Sequence, residues 1–302
     1  MKDGAMKLSI VTTLYKSSSH IEEFITRILA CAAKAANDVE LVIVDDGSPD
    51  NSLAKVLKLK EHRTNIKAIQ LSRNFGHHEA ILTGLAQADG DLVFLIDCDL
   101  EESPEDLTRF LAEMKSRVDV DVVYGVQKQR GKGFADRIFG HVYYGLFNFF
   151  SEIKIPRNLT TTRLMSRDYV RGLLQHEEAD VVLSGLWANT GFHQVPLEVE
   201  KRFKGTSTYD LKRQIALMVS SVTSFSSKPL VYIFYLGVII SIVACAAILW
   251  ILYRKIFHQI GVGGWASLIA SIWFIGGLLM LSVGVVGIYM ERIFRQVKQR
   301  PR

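Results

Sequence analysis

The sequence predicts an α/β protein with a mostly parallel sheet, followed by two helices long enough to cross a membrane. Along the first half, short apolar runs alternate with helix-like segments. The apolar runs are continuous rather than alternating with polar residues, which is typical of parallel strands covered on both faces. Near the C-terminus, two long segments contain no Asp, Glu, Lys or Arg, and such segments favour membrane-spanning helices.

The first half is predicted as a regular alternation of strands and helices. The predicted strands are Leu8–Tyr15, Val39–Val44, Ile66–Leu71, Asp91–Ile96 and Val120–Val126. The predicted helices are Ile21–Ala36, one from about Asp50, His78–Ala88 and one beginning near Ser103. Ligands of parallel sheets bind outside the carboxyl ends of the strands, so polar residues at those ends are the candidate site.

Two uncharged segments, Pro229–Tyr253 and Ile256–Met290, carry the membrane prediction. Each exceeds the ~20 residues that a spanning helix needs, so we expect transmembrane helices at about 229–253 and 264–290. The tail carries more Lys and Arg than the connecting loop, and no signal peptide is visible, so both ends are expected in the cytoplasm. We therefore expect a multi-pass protein of the cytoplasmic (inner) membrane.

This prediction divides the chain into four parts. They are a cytoplasmic α/β domain at 1–209, an amphipathic juxtamembrane helix at 210–228, the membrane helices within 229–290 and a basic tail at 291–302. A further helix at Phe134–Phe150 fits either a core-facing helix or one in the membrane interface.

Composition excludes some classes of function. The chain of 302 residues has a formal net charge of +5, without a basic stripe interleaved with aromatic residues, so nucleic-acid binding is not expected. Cys31, Cys98 and Cys245 make no metal-binding spacing and fit a reducing compartment. Small residues at Ala266 and Ala270 have the spacing of close helix packing, which weakly favours a homo-oligomer.

The sharpest chemical signal is Asp97-Cys98-Asp99, at the end of a strongly apolar strand. Two carboxylates one residue apart can converge on a hard cation such as Mg²⁺ or Mn²⁺, and Glu101 is placed to supply a third oxygen. Asp residues often end strands, so the pattern alone is weak evidence. Two unpaired carboxylates held together are unfavourable, however, and this favours a bound cation.

A second acidic motif, Asp45-Asp46-Gly47-Ser48, follows another predicted strand. Alone it is equally consistent with a strand-to-helix turn and with an Asp that holds a nucleotide base or ribose. The other acidic strand end favours the nucleotide interpretation. The neighbouring histidines His77 and His78 are interpreted as a helix start rather than a metal pair, since adjacent side chains point apart.

Taken together, the motifs resemble the family-2 glycosyltransferases with the A-type (Rossmann-like) fold. Within them the chain is similar to the polyprenyl-phosphate branch of dolichol-phosphate-mannose synthases and bactoprenol glucosyltransferases. The resemblance spans Leu8–Tyr209 and extends to the two-helix C-terminus. The matching motifs are Val44–Asp50, Arg73–Gly76, Asp97–Leu100 with Pro104-Glu105, Arg163–Met165, Gly205–Tyr209 and Ser226–Leu230.

The resemblance implies an inverting, metal-dependent hexosyltransferase. It would move a sugar from a nucleotide-sugar, such as UDP-glucose, to polyprenyl (undecaprenyl) phosphate at the lipid bilayer. Implied residues for Mg²⁺ or Mn²⁺ are Asp97, Asp99 and Glu101, and for the acceptor phosphate Arg130 and Arg137. Implied residues for the donor are Asp45, Asp46, Tyr15, Arg73, Arg202, Lys204 and Ser207. A phosphate acceptor is already mostly ionised at neutral pH, so no general base is required.

The chain departs from the family pattern in three places. The family usually has Pro and then Tyr-Asn-Glu after the first strand, where this chain has Thr12–Ser17. It usually has Gln where Glu101 stands, and Gly-Asp-Phe where Thr160–Thr162 stands. The nucleotide and the sugar therefore stay open.

Three alternatives remain. A processive polysaccharide synthase would carry a Gln-x-x-Arg-Trp motif and more membrane helices, and the sequence has neither. A transferase acting on a glycan or glycolipid hydroxyl would need a base, for which Glu79, Glu177 and Asp180 are candidates. A non-catalytic scaffold is the third, and the intact Asp97 and Asp99 argue against it.

Overall fold

The computed structural model describes residues 6–127, 158–176, 183–201, 228–258 and 264–298. The chain divides into two compact units. The first contains every described strand and the helices between them, and the second contains two long helices near the C-terminus.

The first half of the sheet forms as the apolar runs predict. In chain order its elements are β1 (Lys7–Leu14), α1 (Ile21–Ala32), β2 (Asp38–Asp45), α2 (Ser52–Lys60), β3 (Ile66–Gln70), α3 (His77–Ala86) and β4 (Leu92–Leu95). Helix α1 ends at Ala32 rather than at the predicted Ala36. Its last turn tightens, because the N–H of Ala35 donates to the carbonyl of Ala32 at 2.9 Å, three residues back rather than four.

The remaining elements of this unit are less regular. They are a 3-10 turn (Pro104–Asp106), α4 (Leu107–Ser116), β5 (Val122–Gln127), β6 (Leu159–Ser166), α5 (Arg167–Leu174), α6 (Leu183–Asn189) and β7 (Gln194–Val199). Those from β6 onward are not anticipated by the sequence analysis. The start of α5 has a local cause: the hydroxyl of Ser166 accepts the N–H of Tyr169 at 3.2 Å and caps the helix.

The seven strands form one sheet in the order β3-β2-β1-β4-β6-β5-β7. Strands β3, β2, β1 and β4 are all parallel, and β7 is parallel to β5. Only β6 runs the other way, antiparallel to both β4 and β5. The prediction of a mostly parallel α/β sheet is confirmed.

Both faces of the sheet are covered by apolar side chains. On one face α1 buries Ile21, Phe24, Ile25 and Ile28, which are spaced to lie on one side of a helix. The other face is covered by buried residues of α3, α5 and α6. Burying one such large side chain contributes about 1.5–3 kcal/mol relative to its exposure, so the sheet is a firm support for the strand ends described below.

The second unit consists of α7 (Lys228–His258) and α8 (Trp265–Lys298). No helix in the described ranges combines the length and hydropathy that a membrane crossing requires. This finding contradicts the predicted transmembrane helices and the predicted multi-pass location in the cytoplasmic membrane. The prediction considered only the uncharged segments, whereas α7 continues through Arg254 and Lys255, and α8 through Glu291 and Arg292. The helices predicted at 134–150 and 210–228 lie outside the described residues.

Candidate active site

Both acidic motifs lie at the same edge of the sheet. Strand β1 lies between β2 and β4, with Leu14 opposite Asp45 and Val11 opposite Leu95. All three strands are parallel and neighbouring strands are about 4.8 Å apart, so their carboxyl ends meet at one edge. Asp45 ends β2 and Asp46 follows it, and the segment after β4 carries Asp97–Asp99. The convergence expected from the sequence is present.

Asp46 fixes the loop before α3. Its carboxylate accepts the N–H of Phe75 at 2.7 Å and that of Gly76 at 3.0 Å, and only 3% of the residue is exposed. The next residue, Gly47, has φ +63°, and a Cβ there would lie 2.6 Å from the backbone nitrogen of Asn74. Only glycine fits both the conformation and the space. Asp46 therefore shapes the site, and its contact with the nucleoside stays a prediction.

Asp45 is also buried, with 1% exposed. One carboxylate oxygen accepts the N–H of Ser48 at 3.2 Å. Burial raises the pKa of Asp45 above its ordinary value, the Ser48 N–H partly offsets this, and the charges of Asp46 and Asp50 add to it. The role of Asp45 in holding the nucleoside stays a prediction.

Asp50 closes the loop between β2 and α2. It accepts the hydroxyl of Ser48 at 2.6 Å and the backbone N–H groups of Ser18 at 3.1 Å and Ser52 at 3.2 Å. Burial opposes its ionisation, but these hydrogen bonds outweigh burial and hold the pKa of Asp50 well below its usual range. The conformation of the Asp45–Ser52 loop thus depends on one ionised side chain.

Asp97 lies against a histidine from another element. Nε2 of His77 is 3.5 Å from Oδ1 of Asp97, and Nδ1 of His77 is 3.1 Å from the hydroxyl of Thr13. His77 is the first residue of α3, so its predicted place at a helix start is confirmed. The imidazole additionally links the ends of β1 and β4, a role that the sequence analysis did not assign.

The loop after Asp97 carries three further carboxylates. Asp99 accepts the N–H of Glu101 at 2.9 Å. Glu101 pairs with Nζ of Lys201 at 2.9 Å. Glu102 is 2% exposed, accepts the hydroxyl of Thr162 and has a second oxygen, Oε1, without a hydrogen-bond partner among the described residues. Burial raises the pKa of Glu102 to about 7, and the charge of Asp97 adds to the effect.

The described residues fit a divalent cation only in part. Among them, no group of three or more His, Cys, Asp or Glu side chains could hold a metal by itself. Asp97 and Asp99 nevertheless leave carboxylate oxygens at the open edge, and Mg²⁺ or Mn²⁺ is commonly held by one or two carboxylates plus substrate phosphates and water. Glu101 is the weaker of the three predicted ligands, because Lys201 already engages one of its oxygens.

The other predicted residues divide into two groups. Tyr15 and Arg73 lie in the segments after β1 and β3, with exposed side chains, and Arg73 lies 4.2 Å over the ring of Phe75. Both are at the edge where a donor would bind. The predicted residues Arg130, Arg137, Arg202, Lys204 and Ser207, and two of the candidate bases, Glu177 and Asp180, lie outside the described residues.

A buried cation lies on the neighbouring strand. Arg163 of β6 is 1% exposed, with its guanidinium 3.0 Å from the ring centroid of Trp187. It donates to the carbonyls of Thr161 at 3.3 Å and Thr160 at 3.4 Å. Burial lowers the pKa of Arg163 to about 9, while the hydroxyl of Tyr169 and the charge of Glu102 work in the opposite direction. This cation stabilises the interior rather than the ligand edge.

Comparison with known proteins identifies this arrangement. The family model described as Glycosyl transferase family 2 matches residues 9–174, which is more than half of the chain. The chain belongs to glycosyl transferase family 2. The resemblance stated from the sequence motifs, including the polyprenyl-phosphate branch, is thereby confirmed.

Relatives of this family-2 glycosyltransferase align along almost its full length. A Mycobacterium tuberculosis protein named among the glycosyltransferases is 46% identical over 98% of this chain and 86% of its own. The prophage bactoprenol glucosyl transferase homolog of Escherichia coli K12 is 29% identical over 98% of this chain and 97% of its own.

A solved structure shows the fold. A mannosyltransferase from Pyrobaculum calidifontis, in complex with GDP-Man and Mn²⁺, matches with a TM-score of 0.53 over 98% of this chain and 88% of its own. Sequence identity is 16%, so this likeness concerns the A-type fold alone. The predicted fold class of the sheet domain is confirmed.

Three site residues escaped the sequence analysis. His77, Glu102 and Lys201 reach the acidic edge from a helix start, a loop and the end of β7. Of the three, only His77 could be found from the sequence, because it directly follows the Arg73–Gly76 motif. The sequence analysis interprets it as a helix start only. The pairing of Glu101 with Lys201 joins residues a hundred positions apart, which no local pattern reveals.

Proposed function

We propose that this family-2 glycosyltransferase moves a hexose from a nucleotide-sugar, in the first instance glucose from UDP-glucose, onto a polyprenyl phosphate. The product would be a lipid-linked monosaccharide with inverted anomeric configuration. The observation that carries the proposal is the meeting of Asp45-Asp46 and Asp97–Asp99 at one open edge of a parallel sheet. At that edge the first pair would meet the nucleoside, and a cation held by Asp97 and Asp99 would meet its diphosphate.

The acceptor is proposed from relatives. Proteins named bactoprenol glucosyl transferase align with 98% of this chain and with 96% of their own length. Similarity therefore extends beyond the nucleotide-binding half, into the part of the chain where an acceptor would bind. We assign catalysis to residues 1–209 and acceptor-phosphate binding to Arg130 and Arg137. Arginine suits this task because its planar fork donates two parallel hydrogen bonds to phosphate oxygens.

The chemistry asks little of the protein beyond placement and charge. The acceptor phosphate is ionised, so its oxygen can attack the anomeric carbon in line with the departing diphosphate, without a general base. The glycosidic bond to the diphosphate breaks as the new carbon–oxygen bond forms. Arg202, Lys204 and Ser207 are proposed to bind the departing diphosphate, and Asp45 the ribose.

A divalent cation would be held by Asp97 and Asp99. Bound there, Mg²⁺ or Mn²⁺ would neutralise the negative charge that develops on the leaving diphosphate. His77 holds Asp97 in place from the β1 side, at 3.5 Å. The mannosyltransferase of the same fold is in complex with Mn²⁺ and its nucleotide-sugar, which supports this proposal for a divalent cation here.

The test is a transfer assay with purified protein. Undecaprenyl phosphate in detergent micelles is incubated with radiolabelled UDP-glucose, UDP-galactose or GDP-mannose, with Mg²⁺ or Mn²⁺, and label in the organic phase is counted. We expect label from one donor, lost on addition of EDTA. Asp99→Asn should lower the rate by about a thousandfold, equal to ~4 kcal/mol of transition-state stabilisation.

A matched control lies near the opposite edge of the sheet. Asp89 precedes β4, just as Asp97 follows it, and its side chain is 62% exposed. Asp89→Asn should transfer at the wild-type rate. Absence of lipid label from every donor, with label appearing instead on a glycan or glycolipid hydroxyl, would reject the phosphate acceptor. Full activity of Asp99→Asn would reject the cation site.

A further inference from the structure

Lys201 lies among the carboxylates of the predicted cation site. Strand β7 is the outermost strand on one side of the sheet and is separated from β4 by β6 and β5. It ends at Val199. Within two residues of that end, Nζ of Lys201 is 2.9 Å from Oε2 of Glu101. Lys201, two residues after β7, thus brings a cation beside the Asp97–Glu102 loop.

The ion pair is shielded from solvent on both sides. The side chain of Lys201 is 32% exposed and that of Glu101 is 27% exposed. Burial lowers the pKa of Lys201, but the hydrogen bond that Lys201 donates to Glu101 and the charges of Glu102 and Asp99 outweigh burial, so the pKa lies above its ordinary value. An ion pair in such a place is screened less than a pair on the open surface.

The pair coincides with a departure from the family pattern. Glutamate stands at position 101, where the resemblance stated from the sequence implies glutamine, so the loop carries one more negative charge than that pattern. Together with Asp97, Asp99 and Glu102 this makes four carboxyl groups within six residues. A nucleotide-sugar brings a diphosphate, which is itself negative, to the same edge. Without compensation the added charge would repel the donor.

We propose that Lys201 is a positioning residue that neutralises Glu101. The cation site to which the donor diphosphate binds then has the same net charge as it would have with glutamine at position 101. Glutamate at position 101 then depends on Lys201, and the two act as one unit. This inference rests on the donor half of the proposed function and is independent of the acceptor. It assigns Lys201 no direct contact with the donor.

A double-mutant cycle separates neutralisation from direct binding. The binding of UDP-glucose and of GDP-mannose, each with Mn²⁺, is measured by calorimetry for wild type, Lys201→Gln, Glu101→Gln and the double variant. Lys201→Gln should weaken donor binding by about tenfold, because Glu101 is left uncompensated beside the diphosphate. In the Glu101→Gln background the same change should alter donor binding by less than about twofold.

Two controls guard against a merely structural effect. Lys201→Arg keeps the charge and should bind donor within about threefold of wild type. Lys7 pairs with Glu40 at 3.4 Å at the amino end of the sheet, so Lys7→Gln removes a comparable ion pair far from the site and should leave donor binding unchanged. An equal loss from Lys201→Gln in both backgrounds would mean that Lys201 binds the donor directly, and the proposal would be abandoned.

A second measurement needs no donor. Mn²⁺ binding to the chain alone is followed by electron paramagnetic resonance. Lys201→Gln should tighten Mn²⁺ binding by about fivefold, since it removes a positive charge beside the carboxylates, and Glu101→Gln should weaken it. Unchanged Mn²⁺ binding in both single variants overturns the proposal even if wild type binds neither nucleotide-sugar. If the double-mutant cycle gives the expected donor affinities but no sugar is transferred to undecaprenyl phosphate, only the proposed acceptor is rejected.

Discussion

The two sides of the sheet differ in where their charged side chains lie. The parallel side (β3, β2, β1 and β4) carries its acidic residues at the open strand ends, where backbone N–H groups and hydroxyls donate to them. The mixed side (β6, β5 and β7) encloses its charge. Arg163 is packed on Trp187 inside the protein, and the hydroxyl of Thr162 donates to the buried Glu102.

The two sides differ in where the partners of their charged side chains come from. On the parallel side the carboxylates of Asp97 and Asp99 keep oxygens for a partner outside the chain, as a ligand site requires. On the mixed side the chain supplies the partners itself, because an isolated buried charge is strongly unfavourable. Substitution of Asp97 or Asp99 should therefore change ligand binding, and substitution of the enclosed Arg163 should change stability.

The largest expected effect after that of Asp99→Asn is on the mixed side. Arg163→Leu removes a buried cation and leaves the buried Glu102 without its attraction, so it should lower the free energy of unfolding by about 3 kcal/mol. Urea denaturation of the purified variant measures this. The hydrogen bonds and the ring contact of Arg163 lie inside the protein, so its loss should affect stability more than binding of the nucleotide-sugar by the folded fraction.

An exposed arginine provides the comparison. Arg171 pairs with Asp168 at 3.5 Å on the surface of α5, and its side chain is 67% exposed. Arg171→Leu should change the free energy of unfolding by less than about 0.5 kcal/mol. Equal effects of the two substitutions, or a large loss of donor affinity in Arg163→Leu at intact stability, would remove the distinction between the two sides.

An effect of intermediate size is expected at His77, on the parallel side. Removing a group that orients a metal ligand commonly weakens metal binding by about 10–100-fold. His77 contacts Asp97 at a long 3.5 Å, so His77→Ala should lie at the small end, with Mn²⁺ bound about tenfold more weakly and unfolding unchanged. Calorimetry or electron paramagnetic resonance measures the affinity.

The neighbouring histidine is the matched control. His78 follows His77 in α3, and adjacent helical side chains point in different directions. His78→Ala should bind Mn²⁺ as wild type does. If both substitutions weaken Mn²⁺ binding equally, the effect comes from the start of α3 and not from the contact with Asp97.

The sequence predicted the parallel side better than the mixed side for a physical reason. Strands β2 and β4 are apolar runs that lead into acidic residues, and parallel strands bring such ends together without further information. Strand β6 contains three consecutive threonines and the buried Arg163, and β7 contains Pro196, so neither reads as a buried strand. Both owe their place to partners distant in sequence.

The same limit applies to the site and to the C-terminal helices. Asp45, Asp97 and Asp99 were predicted because each lies at or shortly after the end of an apolar strand. Lys201 and Glu102 were not, because their roles arise from contacts across the fold. The uncharged segments lie within the two long helices, which continue into charged residues, and the inference of membrane crossing from those segments is contradicted.

The smallest expected effect sharpens the comparison through pH. Asp50 is on the parallel side, and its hydrogen bonds hold the pKa below the unfolded value of about 3.9. Its ionised form therefore stabilises the fold above that pH, and the contribution is lost as the pH falls toward the folded-state pKa. At pH 7 Asp50→Asn should be about 1 kcal/mol less stable than wild type.

Urea denaturation at pH 7, 5, 4 and 3 measures this difference in the free energy of unfolding. The difference should become smaller at the lowest pH. Asp38→Asn, at the exposed start of β2, should show no such narrowing. If the difference in unfolding free energy between Asp50→Asn and wild type stays constant from pH 7 to 3, the loop depends on the shape of this side chain and not on its charge. In that case the hydrogen-bond donors around Asp50 do not favour its ionised form.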